Sequence, residues 1–290
     1  TGADLVIASD PDADRIGVAL PVGPSSAGAW TTLTGNQIGA LLAAFVVEQC
    51  QKAGSLRPEH YMVTTLVSTP MTRSIAEKAG IGMEDDLLVG FKWIGQRIDR
   101  AGPSNFLFGF EESHGYLRGT HVRDKDAAVA ALLFAELVAT LKDRGQTVLD
   151  YLDELYRKHG HYGEALINKV YEGRTGLEKI RSLMAALRED PPLQIGGLPV
   201  TRVDDYGRHE SRRPGSNAPP TPLPEPSGDL LIFTLDAPGT RFAARPSGTE
   251  PKIKFYLFAR TDTSGLAESA SVDPAKAETA QRLEQMAEDI

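Results

Sequence analysis

The sequence predicts an α/β fold: a mixed, largely parallel α/β domain followed by a smaller α+β domain. Short β-type runs alternate with helix-length apolar stripes through the first 160 residues, the order that builds a parallel sheet flanked by helices. Beyond His161 the order becomes one strand, one helix and then several strands, which fits a compact α+β unit. The composition agrees, since 290 residues with 41% hydrophobic and 24% charged side chains suffice for about two globular domains.

Taken in order, "DLVIAS" and "IGVALP" read as short strands flanking an acidic loop. "GPSSAG", residues 23 to 28, marks a boundary. "TGNQIGALLAAFVVEQC" predicts a helix capped near Asn36, with Ile38, Leu41, Leu42 and Phe45 on one face. "HYMVTTLV" follows as a buried strand and "MTRSIAEKAG" as a helix stopped by Gly80. "NFLFGF" is the next strand. A polar loop then leads to a long buried helix from about Asp126. In the second unit "YGEALINKVYEG" is strand-like. "TGLEKIRSLMAALR" predicts a helix with a capping box of Thr175 and Glu178 and a stripe of Leu177, Ile180, Leu183 and Leu187. "RRPGSNAPPTPLPEPS" is too proline-rich for a core element and reads as a solvated insertion at about 212–227, a polyproline ligand being the alternative. "LLIFTLD", "TRFAA" and "KIKFYLFAR" are strands, the last setting Ile253, Phe255 and Leu257 against Lys254, Tyr256 and Phe258. No internal repeat is visible.

A formal charge of −8 argues against a protein that tracks nucleic-acid phosphates. The single cysteine, Cys50, excludes an internal disulfide framework and fits a reducing, cytoplasmic compartment. The most apolar run, Ala127 to Leu141, is too short to span a bilayer and carries Glu136, so no membrane partner is expected. No signal peptide is visible. The chain opens on "TGADLVIAS", already heading into a strand, and reads as the middle of a longer protein.

"SDPDADRIG" places Asp10, Asp12 and Asp14 at alternating positions, with Arg15 next. Carboxylates at this spacing in an extended loop converge on one hard cation, and Mg²⁺ is the natural choice. An EF-hand fails, because Arg15 stands where its glycine belongs and Pro21 where its glutamate belongs. An acidic solvent-facing turn is the plain alternative. Arg15 is better explained if an anion sits beside the metal, since guanidinium pairs with phosphate as a fork.

"RPSGTEPKIK" offers the donor fork of Arg245, the hydroxyls of Ser247 and Thr249, and the charge of Lys252. Gly248 lets backbone N–H groups approach an anion. A simple β-turn explains the proline and glycine but not the rest. "GFEESHGYLRGTHVRDKDA" crowds Glu111, Ser113 and His114 with Arg118, Arg123 and Lys125. Carboxylates and hydroxyls suit a polyhydroxylated ligand, and the three cations are either ligand contacts or solvated charges. His114 is either a general acid–base group or polar surface. Lys92, between Phe91 and Trp93, either snorkels from a core edge or meets an anionic substrate.

Together "SDPDADR", "TGNQIG", "GFKWIG", "GFEESHGY", "RDKDA" and "RPSGTEPK" occur in the order found in the α-D-phosphohexomutase superfamily. The chain most resembles the phosphoglucomutase/phosphomannomutase branch, which includes phosphopentomutases. The resemblance implies that residues 1–27 end the family's second domain, 28–160 form the third, sugar-binding domain and 161–290 the fourth, phosphate-binding domain. It implies that Asp10, Asp12 and Asp14 bind Mg²⁺ and that Arg15 sits beside a catalytic phosphoserine. Glu111 and Ser113 would hold sugar hydroxyls, with Lys92, Arg123 and Lys125 also facing substrate. Arg245, Ser247, Gly248 and Thr249, with Lys252, would grip phosphate. The implied partners are a phosphorylated hexose or pentose and the missing N-terminal domains. Glucose 1,6-bisphosphate or an equivalent sugar bisphosphate would be the activator. The family reaction moves a phosphoryl group between C1 and the terminal hydroxyl through a phosphoserine and a bisphosphate.

Two departures stand out. No serine–histidine–asparagine–proline loop, the family's nucleophile, occurs in this chain, so it is expected to be inactive alone. Gly115 stands where some relatives have histidine. A non-catalytic phosphosugar-binding protein is therefore the alternative. A haloacid dehalogenase-type phosphatase is disfavoured because Asp14 replaces the threonine or valine of that pattern.

Overall fold

The computed structural model describes residues 2–23, 28–223, 226–248, 250–267 and 269–290. Part of the "GPSSAG" boundary, part of the proline-rich stretch and Thr249 therefore lie outside the described residues. The chain divides into two compact units at Gly160/His161.

The first unit opens with β1 (Val6–Ser9), β2 (Ile16–Pro21) and β3 (Trp30–Thr32), an antiparallel three-stranded sheet among the described residues. It continues with α1 (Gly35–Lys52), β4 (Tyr61–Thr65), α2 (Met71–Ala79), β5 (Gly82–Leu87), α3 (Phe91–Ala101), β6 (Phe106–Glu111), β7 (Gly115–Leu117), α4 (Ala127–Asp143) and α5 (Val148–His159). The second sheet has the order β5-β4-β6-β7, with β4 parallel to both neighbours and β7 antiparallel to β6. The chain leaves β4 for β5 on one side and returns to β6 on the other. The carboxyl ends of β4 and β6 thus flank a switch point, where open α/β sheets bind ligands.

A bulge in β6 decides which residues reach that end. Tyr61 pairs with Phe106, but Met62 pairs with Phe108, so one extra residue reverses the facing of everything downstream. Phe106 packs with Phe91, Ile94 and Ile98 of α3. Past the bulge, Phe108 and Phe110 stack with Tyr116, with centroids 6.0–6.5 Å apart. Phe110 also lies against Gly39 of α1, where an added Cβ would meet its ring at 2.3 Å. Gly109 faces Ile94, which by alternation turns Glu111 toward α3.

Several local expectations need correction. The N-cap of α1 is Thr34, not Asn36; Gln37 Nα donates to Thr34 Oγ1 at 3.1 Å and Gln37 Oε1 accepts from Thr34 N–H at 2.9 Å. Asn36 instead lies inside the first turn and accepts from the Thr69 N–H at 2.9 Å. The helix from Asp126 is buried on one face only: Ala130, Phe134 and Leu137 point inward while Leu132 is exposed. The segments that form α3 and α5 carried no sequence expectation.

The second unit contains β8 (His161–Val170), α6 (Gly173–Glu189), β9 (Gln194–Ile195), β10 (Leu198–Asp205), β11 (Glu210–Arg212), β12 (Thr221–Pro222), β13 (Leu231–Leu235), β14 (Arg241–Pro246), β15 (Lys252–Thr261) and α7 (Asp273–Glu288). Among the described residues they form an antiparallel sheet ordered β12-β11-β10-β13-β14-β15-β8, with β9 on β10. Ile253, Phe255 and Leu257 of β15 join Phe233, Phe242, Ile180, Met184 and Met286 in one core. Tyr256 and Phe258, on the opposite face, are buried too. The proline-rich stretch is not wholly irregular, since its β12 pairs with β11 as the edge strand of the sheet, a position that tolerates proline. The Thr175–Glu178 capping box does not form; α6 starts at Gly173 after Glu172, with no side-chain cap.

His159, at the end of α5, is buried and shares a 3.0 Å hydrogen bond between its Nδ1 and Ser74 Oγ. Burial first, then the charges of Lys78 and Lys158, push its imidazole down to about 4. The unfolded chain takes up this proton near pH 6.5, and the folded chain not until about 4. Its stabilising contribution is therefore complete above about pH 6.5 and drains away as pH falls toward about 4. Thermal midpoints measured between pH 7.5 and pH 5 should fall more steeply for the parent than for His159→Gln. Equal slopes would place the pH dependence elsewhere.

Candidate functional site

The acidic loop joins β1 to β2 and is organised by its first aspartate. Asp10 Oδ1 accepts from the N–H groups of Asp14 (3.2 Å) and Arg15 (3.0 Å), while its Oδ2 takes Arg15 Nη1 at 3.2 Å. Burial works to raise the Asp10 carboxyl, but these bonds outweigh it and hold the group below its usual value. Ala13 sits at φ 56°, a left-handed conformation that a β-branched side chain would oppose. Its carbonyl accepts from Ala127 N–H at the start of α4 (3.2 Å).

One ligand atom from each of Asp10, Asp12 and Asp14 lies within 4.8 Å of the others. Asp14 Oδ1 is buried with no hydrogen-bond partner among the described residues, Arg15 Nη1 standing 3.5 Å away. A donor set of carboxylate oxygens with one orphaned atom fits a hard divalent cation such as Mg²⁺.

The loop is stitched to the β6–β7 turn. Arg15 and Gly115 form an isolated antiparallel bridge, and Ile16 N–H donates to His114 O at 3.2 Å. His114, at φ 70°, returns an Nδ1–H bond of 3.1 Å to Ile16 O. Burial first, and then Arg15, lower its imidazole against the raising effect of that carbonyl. His114 therefore acts as a clamp between the two loops.

Glu111 is buried, and its Oε1 accepts from Gly90 N–H at 2.6 Å. Gly90 has φ 129°, which glycine tolerates, and it precedes α3 and Lys92. Glu111 thus ties the Lys92 turn to the end of β6. Lys92 is exposed, with Nζ 4.9 Å from the Trp93 ring centroid. Ser113 is half-buried in the β6–β7 turn.

The three cations of the long loop have separate places. Lys125 Nζ lies 3.1 Å from Asp14 Oδ2 and 3.1 Å from Asp124 Oδ1. Burial lowers its ammonium, and the two carboxylates more than compensate, leaving it above its usual value. Arg123 turns instead to Asp99 of α3 at 2.7 Å and to the carbonyls of Thr120 and Val122. Arg118 donates to Leu107 O at 2.8 Å.

In the second unit Arg245 lies near the end of β14, Ser247 and Gly248 in the β14–β15 connection, and Lys252 at the start of β15. Ser247 N–H donates to Lys252 O at 2.8 Å, and Ser247 Oγ accepts from Glu250 N–H at 3.3 Å. Lys252 pairs with Glu250. The Arg245 guanidinium is half-buried and makes no ion pair or side-chain hydrogen bond among the described residues. Gly248 is exposed, with nothing within 4 Å of an added Cβ.

Sequence reasoning missed Gly35, Gly90, Asp124 and Tyr116. Tyr116 Oη donates to Gly35 O at 3.0 Å and fastens the start of α1 to the turn. Only the glycine-bearing motifs "TGNQIG" and "SHGY" pointed near these contacts.

An α/β unit with a carboxylate loop bridged to the turn beyond a switch-point strand, followed in the chain by an antiparallel unit with a basic hairpin, describes a definite class of two-unit protein. Residues 34–159 match the family described as phosphoglucomutase/phosphomannomutase, alpha/beta/alpha domain III. The chain is 40% identical over 261 residues to a probable phosphomannomutase of Haemophilus influenzae, covering 89% of this chain and 46% of that protein. It is 36% identical over 256 residues to a phosphoglucomutase of Staphylococcus aureus, covering 88% and 44%. The crystal structure of Paramecium parafusin, described as a phosphoglucomutase, shares the fold at a TM-score of 0.59 and 16% identity, over 97% of this chain and 45% of that one. The chain belongs to the α-D-phosphohexomutase superfamily. It spans a little under half the length of the curated relatives it matches.

Proposed function

We propose that this chain supplies the cation-, sugar- and phosphate-holding parts of a phosphosugar mutase of the phosphoglucomutase/phosphomannomutase type. The observation that carries this reading is the shared backbone bridge between Arg15 and Gly115. It fixes the acidic loop against the turn that presents Glu111 and Ser113. A phosphoryl group and a sugar hydroxyl must meet in such a reaction, and this bridge fixes the groups suited to each. Residues 1–27, 28–160 and 161–290 would correspond to the end of the second domain, the third and the fourth domains of the family.

In this reading Asp10, Asp12 and Asp14 hold Mg²⁺, which when bound offsets negative charge on the transferring phosphoryl. Arg15 presents its guanidinium beside the same position, held in place by Asp10. Glu111, oriented by Gly90 N–H, accepts from sugar hydroxyls, and Ser113 can donate or accept. Lys92, Arg123 and Lys125 surround the substrate with positive charge. Arg245, Ser247, Gly248, Thr249 and Lys252 hold the phosphate that is not being transferred. The Arg245 guanidinium, without an ion pair among the described residues, is suited to that task, because a phosphate would supply a bidentate partner.

Calorimetric titration of the chain with glucose 1,6-bisphosphate in Mg²⁺ tests the reading. Saturable binding, displaced by hexose or pentose monophosphates in an order that reveals the preferred sugar, is expected. Absence of binding would sink it. Arg245→Ala should weaken the bisphosphate by about 1.5–3 kcal/mol, the worth of a charge-assisted hydrogen bond, and leave Mg²⁺ affinity nearly intact. Equal bisphosphate affinity would remove Arg245 from the site.

A further inference from the structure

We propose that Lys125 is a built-in counter-ion of the aspartate loop, steered onto Asp14 across the bare backbone of Gly115, and that a divalent cation takes its place there. The proposal rests on reading the loop as a cation site. Three carboxylates brought this close repel one another unless positive charge is shared among them. Arg15 is hydrogen-bonded to Asp10 and stands 3.5 Å from Asp14 Oδ1 without bonding it. The other oxygen of Asp14 is taken by Lys125 Nζ at 3.1 Å.

The path of that lysine is specific. Its side chain is only 11% exposed, and its Nζ lies 5.5 Å from the Phe91 ring centroid. The stem crosses directly over Gly115, where an added Cβ would fall 2.1 Å from Lys125 Cδ and 2.6 Å from Cγ. Any side chain at 115 therefore blocks the route. Gly115 is a positioning residue: it touches no ligand and acts through Lys125.

Asp124 supplies the second half of the device. Lys125 Nζ bridges Asp14 and Asp124 at equal distance. A cation bound to Asp14 repels the ammonium, and Asp124 retains it nearby. Cation binding would then free Lys125 from Asp14 without losing it from the site, so that a positive group becomes available as the metal arrives.

Calorimetric titration of Mn²⁺ and Mg²⁺ into the parent, Lys125→Met and Gly115→Ala tests this without any turnover. Removing the competing charge should tighten cation binding several-fold in Lys125→Met. Gly115→Ala, which alters no charge, should tighten it in the same direction by displacing the stem. Unchanged or weaker binding in Lys125→Met overturns the proposal. Tighter binding there with an unchanged Gly115→Ala overturns the role of Gly115. If the parent binds neither cation, the cation reading itself fails and takes this proposal with it.

Should Gly115→Ala not fold, as circular dichroism will report, the parent compared with Lys125→Met is decisive. After reductive ¹³C-methylation, the lysine signal absent from Lys125→Met should shift on Mg²⁺ addition. A signal that stays in place contradicts displacement.

Discussion

Gly35→Ala is expected to destabilise the chain by about 3 kcal/mol, the upper range for overpacking a well-packed site. An added Cβ would lie 1.9 Å from Glu112 O, 2.8 Å from its carbonyl carbon and 2.9 Å from His114 N. All three are backbone atoms, so no side chain can swing aside. The start of α1 and the β6–β7 turn must separate, and the Tyr116–Gly35 hydrogen bond would be lost with them. Glu111, Ser113 and His114 ride on that turn, so sugar-phosphate affinity should fall along with stability. Urea denaturation of the variant checks the first effect. Gly17→Ala is the matched control, since an added Cβ there meets nothing within 4 Å; it should stay within about 0.5 kcal/mol of the parent. Similar stability for Gly35→Ala and the parent would mean that α1 and the turn are not in register as described.

Asp10→Ala is expected to lower divalent-cation affinity by about tenfold or more, because loss of a charged hydrogen-bonding group costs about 1.5–3 kcal/mol. Two losses combine. One candidate ligand disappears, and the acceptor that gathers the Asp14 and Arg15 N–H groups disappears with it. Asp12→Ala removes a candidate ligand without that organising role. It should weaken the cation less and leave the Arg15–Gly115 bridge intact. Calorimetry with Mg²⁺ distinguishes the two variants. Equal effects would mean that Asp10 is only a ligand and does not shape the loop.

Much of the fold could be read from local pattern. Gly80 ends α2 in the left-handed conformation expected of a C-terminal glycine. Asp126 caps α4 by accepting from Val129 N–H at 3.0 Å. The failures share a cause, namely partners distant in sequence. Asn36 is a good capping residue, yet its side chain is claimed by Thr69, 33 positions away. Thr175 and Glu178 have capping-box spacing but lie inside a helix that began earlier. The α3 stripe of Phe91, Ile94 and Ile98 is interrupted by Gly95, which weakens the helix signal. Gly95 is needed there because an added Cβ would come 2.6 Å from Arg123 O. The β6 bulge, which sets the facing of Glu111, leaves no trace in "NFLFGF".

The candidate site divides in the same way. The chemistry of its motifs is local and was readable: three alternating carboxylates, a glutamate with a serine, and an arginine in a glycine-bearing hairpin. The wiring between motifs is tertiary and was not. Nothing in the sequence placed Lys125 on Asp14, His114 on Ile16 or Glu111 on Gly90. Arg123, grouped with the substrate contacts by resemblance, is also held by Asp99 across the loop, a contact no motif announced.

The most direct test of the central claim is paramagnetic broadening of the chain's amide NMR signals by Mn²⁺. The account predicts saturable broadening centred on residues 10–15 and extending to 114–115 and 124–127, reversed by excess Mg²⁺. No saturable effect, or broadening centred elsewhere, would contradict the assignment of the aspartate loop as the cation site on which the proposed chemistry depends.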